Sequence, residues 1–158
     1  MTIITSARER LAILRRTRTV AIVGMSANPA RASHFVATYL AGATDWTIWY
    51  VNPGATEILG QKVYPSLADL PDVPDVVDTF RRVSDLPAVA EDAIACGAPT
   101  LWFQLGLRHD DAAERAAGAG LDVVQDRCLK IEHARFAGGL HLAGFDTGVI
   151  DARRDRLV

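Results

Sequence analysis

Thr19-Val-Ala-Ile-Val23 runs directly into Gly24-Met25-Ser26-Ala27-Asn28-Pro29, and Ser33 comes just ahead of Phe35, Val36, Tyr39 and Leu40. The first piece is short, rich in β-branched residues and apolar throughout. Such a run reads as a strand covered on both faces, the kind found in parallel sheets. The glycine stops it. Ser33 is placed to cap a helix in which Phe35, Val36, Tyr39 and Leu40 form one apolar stripe. Strand, glycine turn and helix is the opening unit of a βαβ fold.

The same rhythm recurs in both directions from this unit. Upstream, Ser6-Ala-Arg-Glu9 fits a capping box, and Ala7, Leu11 and Leu14 recur at helical spacing, so a helix over 6–17 is expected. Downstream, strands are expected at 46–51 (WTIWYV), 76–80 (VVDTF), 100–103 (TLWF) and 121–124 (LDVV). Ser84 is placed to cap a helix over 85–96, which Gly97 would end in the left-handed conformation. Asp110 starts an alanine-rich helix closed by Gly118 and Gly120, and 128–136 reads as a short helix. The tryptophans at 46, 49 and 102 fall on strands and read as core. Residues 54–74 are the least regular, with prolines 65, 71 and 74 and one short helical turn expected. The whole is a Rossmann-like, doubly wound α/β domain. It has a five-stranded parallel sheet and helices on both faces.

Composition agrees with one such domain. The chain has 158 residues, 49% of them hydrophobic and 23% charged, which excludes a disordered tail or a collagen-like repeat. A net charge of −2 argues against a uniformly basic nucleic-acid surface. No apolar run reaches the ~20 residues of a membrane helix. Cys96 and Cys128 are too few for a disulfide framework, and the N-terminal MTIITSARERLAILRR lacks the apolar core of a secretory signal. A cytoplasmic protein is expected. Residues 137–158 match no recognisable element, and their Arg153-Arg154-Asp155-Arg156 stretch reads as frayed surface.

In an open parallel sheet, ligands bind beyond the carboxyl ends of the strands, where the strand order reverses. The residues just after each strand are therefore informative. They are Gly24, Ser26, Asn28, Arg31 and Ser33; then Asn52 and Pro53; then Phe80, Arg81 and Arg82; then Gln104, Gly106 and Arg108; then Asp126, Arg127 and Cys128. Glycines bring the backbone close to a ligand, a helix start offers N–H groups and a positive dipole end, and arginine forks grip phosphate oxygens. This edge favours a phosphorylated ligand. The dinucleotide fingerprint G-x-G-x-x-G is incomplete, since only Gly24 is present, and the second strand ends in Asn52-Pro53 without an acidic residue for a ribose. NAD is thus weakly supported.

Six motifs in this order resemble the small CoA-binding proteins. They are VGMSANPARAS at 23–33, VNP at 51–53, G-x-x-x-Y-x-S-L at 60–67, FRR at 80–82, WFQLG at 102–106 and DRC…IEH at 126–133. Those proteins are single domains similar to the CoA-binding domain of the succinyl-CoA synthetase α subunit. The match spans about 18–136, so the chain reads as one domain over 1–158. The resemblance implies coenzyme A or an acyl-CoA, with its phosphates near Gly24, Ser26 and Arg31 and its adenosine part near Asn52 and Pro53. Phe80, Arg81 and Arg82 would enclose the nucleotide, and Gln104 and Gly106 would lie further along the crevice. A CoA ligase needs a phosphohistidine domain and a nucleotide-binding subunit, which this chain does not carry, and His133 lies inside the CoA-domain match. A non-catalytic binding module is the leading expectation, its ligand a small molecule rather than nucleic acid or membrane. A further protein partner stays open. The alternatives are an NAD(P)-dependent oxidoreductase on the same fold, or an interaction subunit of an acyl-CoA complex that no longer binds ligand.

Other chemistry is thinner. Cys128 has Arg127, Lys130 and His133 nearby, a setting that favours thiolate and suggests a mixed disulfide with CoA, against the plainer reading of an inert cysteine. Histidines 34, 109, 133 and 141 show no metal-ligand spacing, so no metal is expected. Gly24-Met25-Ser26 lacks the second glycine of a hydrolase elbow, since Asn28 stands there.

Overall fold

The computed structural model describes residues 2–137. The expected strands are present as β1 (Thr19–Val23), β2 (Thr47–Val51), β5 (Val76–Thr79), β6 (Thr100–Phe103) and β7 (Asp122–Val124). Two more arise inside 54–74, β3 (Glu57–Ile58) and β4 (Gln61–Tyr64), so the sheet has seven strands, not five, in the order β3-β4-β2-β1-β5-β6-β7. All neighbours are parallel except β3, which runs antiparallel to β4. The hairpin turns on Leu59 (φ 52°) and Gly60 (φ 73°), two left-handed residues in succession. That geometry matches the twist of paired strands. Leucine is an unusual occupant of it, which is why the sequence hides the turn.

Helices α1 (Ala7–Arg16), α2 (Ala32–Ala43) and α5 (Leu129–Phe136) cover one face. Helices α3 (Leu86–Cys96) and α4 (Asp110–Gly118) cover the other. Ser6 caps α1: its Oγ accepts the Glu9 N–H at 3.1 Å and donates to Glu9 Oε1 at 2.9 Å. Gly97 ends α3 at φ 83°, as its position implies. Two expected caps differ. Arg31, not Ser33, stands at the start of α2, and Asp85, not Ser84, at the start of α3; neither cap residue makes a side-chain capping bond. Ser84 instead lies in a 3₁₀ turn over Val83–Asp85. The stripe of α2 is also rotated from expectation. Val36, Ala37 and Leu40 are buried, Tyr39 is half-buried and Phe35 is 61% exposed. Each aliphatic side chain buried in these layers contributes about 1.5–3 kcal/mol, and Ile22, Leu40, Leu101 and Trp102 are fully buried. Trp46 and Trp49 are only half-buried, and Trp46 precedes β2.

Two further features fix the frame. At the end of the sheet opposite the strands' carboxyl termini, Asp75 Oδ2 accepts the N–H groups of Arg18 (2.8 Å) and Thr19 (3.1 Å), bracing β5 to β1. At the β7 edge, Val123 donates to Thr2 O at 2.9 Å and accepts from Ile4 N–H at 2.7 Å, so the N-terminal residues pair with the last strand. No helix among the described residues is long and apolar enough to cross a membrane. Residues 138–158, which include His141 and the Arg153–Arg156 stretch, lie outside the described residues. The sheet reverses its order between β1 and β5: α2 leads from β1 out to β2, and α3 leads from β5 the other way to β6. The loops after β1 and β5 therefore part on opposite faces and leave a crevice.

Candidate functional site

The loop after β1 is built by its own side chains. Gly24 has φ 86°, and a Cβ there would sit 2.2 Å from Phe80 O, so only glycine fits. Its N–H donates to Val51 O at 2.9 Å, with Met25 N–H on the same oxygen at 3.3 Å. Ser33, inside the first turn of α2 and buried, accepts the Ser26 N–H on Oγ at 3.0 Å. Ser26 Oγ in turn accepts the Asn28 N–H at 3.1 Å, and Asn28 Oδ1 accepts the Ala30 N–H at 3.0 Å. Asn52 Nδ2 reaches across from the end of β2 to donate to Met25 O at 2.7 Å. The loop is thus fixed before any ligand arrives, and the start of α2, with no side-chain cap, faces the crevice.

The crevice has a volume of about 610 Å³, within the range of roughly 300–1,000 Å³ usual for small-molecule sites. Gly24, Ser26, Arg31 and Ser33 form one wall, Phe80, Arg81, Arg82 and Asp85 another, and Gln104, Leu105, Leu107 and Cys128 the far end. Arg82, 84% exposed at its side chain, lies 3.4 Å from Asp85 Oδ2, and Arg81 lies 3.8 Å from the same oxygen. With Arg31 on the opposite wall, the crevice lining carries three guanidinium groups against one carboxylate, leaving the mouth positive. The far end carries no charge. Gln104 is buried there, and its Oε1 accepts the Leu129 N–H at 3.0 Å, capping α5.

A family model described as a CoA binding domain matches residues 18–134. The chain belongs to the CoA-binding domain family. It is 38% identical over 122 residues to the Bacillus subtilis (strain 168) protein YneT, spanning 77% of this chain and 90% of that one. A Pyrococcus horikoshii OT3 protein of solved structure superposes with a TM-score of 0.79 at 36% identity, over 87% of this chain and 98% of that one. The same fold recurs within a dinucleotide-forming acetyl-coenzyme A synthetase of Ca. Korarchaeum cryptofilum. There the TM-score is 0.67 and the identity 22%, over 73% of this chain but 28% of the synthetase.

Within this CoA-binding domain, Gly24, Ser26, Arg31, Ser33, Asn52, Phe80, Arg81, Arg82, Gln104 and Cys128 all line the one crevice. Asn28, Pro53, Gly106 and Arg127 do not. Asn28 shapes the first loop, and Pro53 belongs to a turn in which Gly54 N–H donates to Asn52 Oδ1 at 2.8 Å. Gly106, at φ 86°, donates to Asp126 Oδ1 at 2.7 Å, tying the β6 loop to the β7 loop. Arg127 contributes its backbone, whose carbonyl accepts from Trp102 Nε1 at 2.8 Å, while its side chain is exposed. Ala32, Asp85, Leu105 and Leu107 also line the crevice, and the strand-end rule does not single them out. The spacing of Asp85 four residues after Arg81 was the available signal for one of them.

One more group escapes the sequence reading. Asp78 on β5 is fully buried, and neither carboxylate oxygen has a hydrogen-bond partner among the described residues. Burial raises its pKa well above the usual carboxylate range. The Thr79 backbone N–H offsets this in part, without reaching hydrogen-bond geometry. Among the described residues no three His, Cys, Asp or Glu side chains gather in a metal-binding group.

Proposed function

We propose that this chain binds coenzyme A or an acyl-CoA in the crevice, as a cytoplasmic holder of the ligand without catalysis of its own. The observation that carries the reading is the polarity of the site. Arg31, Arg81 and Arg82 meet the uncapped start of α2 at one end, and an uncharged end bears Gln104, Leu105, Leu107 and Cys128. A ligand with several phosphates at one end and a neutral, thiol- or acyl-bearing arm at the other fits that division. The family, and the acetyl-coenzyme A synthetase that shares the fold, support the same choice.

Titration calorimetry of ligand-stripped protein with CoA, dephospho-CoA and NAD tests it. Micromolar CoA binding, about −8 kcal/mol, is expected, with weaker binding of dephospho-CoA. Arg81→Ala combined with Arg82→Ala should weaken CoA binding while leaving the thermal unfolding midpoint nearly unchanged. Binding of NAD in preference to CoA would turn the reading towards a nicotinamide-dependent oxidoreductase. Silence from all three ligands would favour an interaction subunit.

A further inference from the structure

Asp78 has a defined place relative to the crevice. In the sheet it lies in register with Ile22 of β1 and Trp102 of β6. The next rung on the same face is Gly24, Phe80 and Gln104, because side chains alternate along a strand. The ladder does continue that far: Phe80 N–H donates to Val23 O at 2.8 Å and Gln104 N–H to Thr79 O at 3.4 Å. All three residues of that rung line the crevice. Asp78 is therefore one step below its floor, on the face covered by α2 and α5, the helices that supply Ser33 and Cys128.

The polar groups of the surrounding elements leave it alone. Ile22 and Trp102 are its strand neighbours on either side. On α1 and α5, Arg10, Glu132 and Arg135 satisfy one another. His133 of α5 is bonded to Tyr39 of α2 at 2.9 Å. Gln104 directs its Oε1 to Leu129, and Arg81 faces Asp85. Among the described residues no charged neighbour bears on the Asp78 carboxyl. A buried polar group without a protein partner is rare in a native protein and calls for an explanation.

We propose that Asp78, carrying a proton, is a hydrogen-bond donor one rung beneath the floor of the crevice, reached by the ligand's neutral arm when the Phe80 and Gln104 side chains above it part, and received there by an uncharged acceptor: an amide or thioester carbonyl. The inference rests on the CoA reading and deepens it, by naming the residue that meets the arm. A carbonyl oxygen suits a neutral acid, and a neutral acid can donate where an aspartate ion cannot. The arginine mouth would hold the phosphates, and Asp78 would select for the arm attached to them.

The test compares CoA binding by wild type, Asp78→Asn and Asp78→Val from pH 5 to pH 9, with circular dichroism to confirm that each variant is folded. Wild type should bind most tightly at low pH and lose affinity as Asp78 ionises. Asp78→Asn, whose amide still donates, should bind with an affinity independent of that ionisation. Asp78→Val should bind about tenfold more weakly at low pH, the scale of one lost hydrogen bond. Infrared difference spectra should show a protonated carboxyl stretch that shifts on adding CoA and is missing in Asp78→Asn. A folded Asp78→Val with wild-type affinity and pH profile overturns the inference while sparing the CoA reading. So does a carboxyl stretch unmoved by CoA, should the valine variant not fold. Wild type that binds no CoA at any pH overturns both.

Discussion

Two carboxylates are buried on the same face of this sheet, and their surroundings are opposite. Glu132 on α5 receives Arg10 Nε from α1 and Arg135 Nη1 at 3.2 Å, so its charge is matched from two sides. Asp78, a rung below the crevice, is matched by no side chain among the described residues. The first arrangement joins two helices. It also holds the start of α5, where Gln104 caps the helix and Cys128 meets the crevice. The second joins nothing among the described residues. A fold retains an unmatched carboxyl at a cost in stability, and this one lies directly beneath the candidate site.

The largest effect that would sharpen the contrast is on the Glu132 side. Glu132→Ala leaves Arg10 buried without its counter-charge and should cost about 3–5 kcal/mol in urea unfolding. Replacing Arg10 and Glu132 together by Met and Leu should recover most of that loss, since an apolar pair of similar volume avoids the desolvation of both ions. At Asp78 the sign is reversed. The folded pKa lies above the unfolded value of about 3.9, so the unfolded chain ionises first as pH rises. Stability should therefore fall above about pH 4, with a slope of up to about 1.4 kcal/mol per pH unit, until the folded pKa is passed. Asp78→Asn should remove that slope and be the more stable protein at neutral pH, as read from thermal midpoints across the range. If the slope persists in Asp78→Asn, the contrast between the two carboxylates fails.

A smaller effect comes from His133, the residue after Glu132 on α5. Burial lowers its pKa, so below its ordinary value of about 6.5 the unfolded chain takes up the proton first. Stability should fall as pH drops from there to the folded pKa. His133→Gln should flatten that limb alone. The smallest effect should be Arg82→Ala, whose exposed side chain makes one loose ion pair: within about 0.5 kcal/mol in stability, against a visible loss of CoA affinity.

The central sheet was legible because its strands are continuous apolar runs between turn residues, and that pattern fits parallel strands buried on both faces. The hairpin was not. β3 and β4 are short and alternate poorly, and Leu59 stands in a turn position that asparagine or glycine usually announces. The rule of strand ends found most of the crevice wall, since side chains of residues just past a parallel strand have little choice but to face that edge. Asn28, Pro53, Gly106 and Arg127 stand outside that wall, their polar atoms or backbones spent on the loops themselves, a use that spacing does not show. Ser33 lines the crevice, but it holds the Ser26 N–H instead of capping α2. Asp78 was visible as an acid in the middle of VVDTF, yet β-strand periodicity alone gave it no role.

The pairing of Thr2, Ile3 and Ile4 with Val123 has a practical consequence. β7 would otherwise end the sheet as a bare edge, and an uncovered edge is a template on which a second chain can add its own strand. The first few residues act as a sacrificial selvedge that closes the weave. A tag fused tightly against them, or a cut before Ser6, should expose β7 as an edge on which another copy's strand can pair.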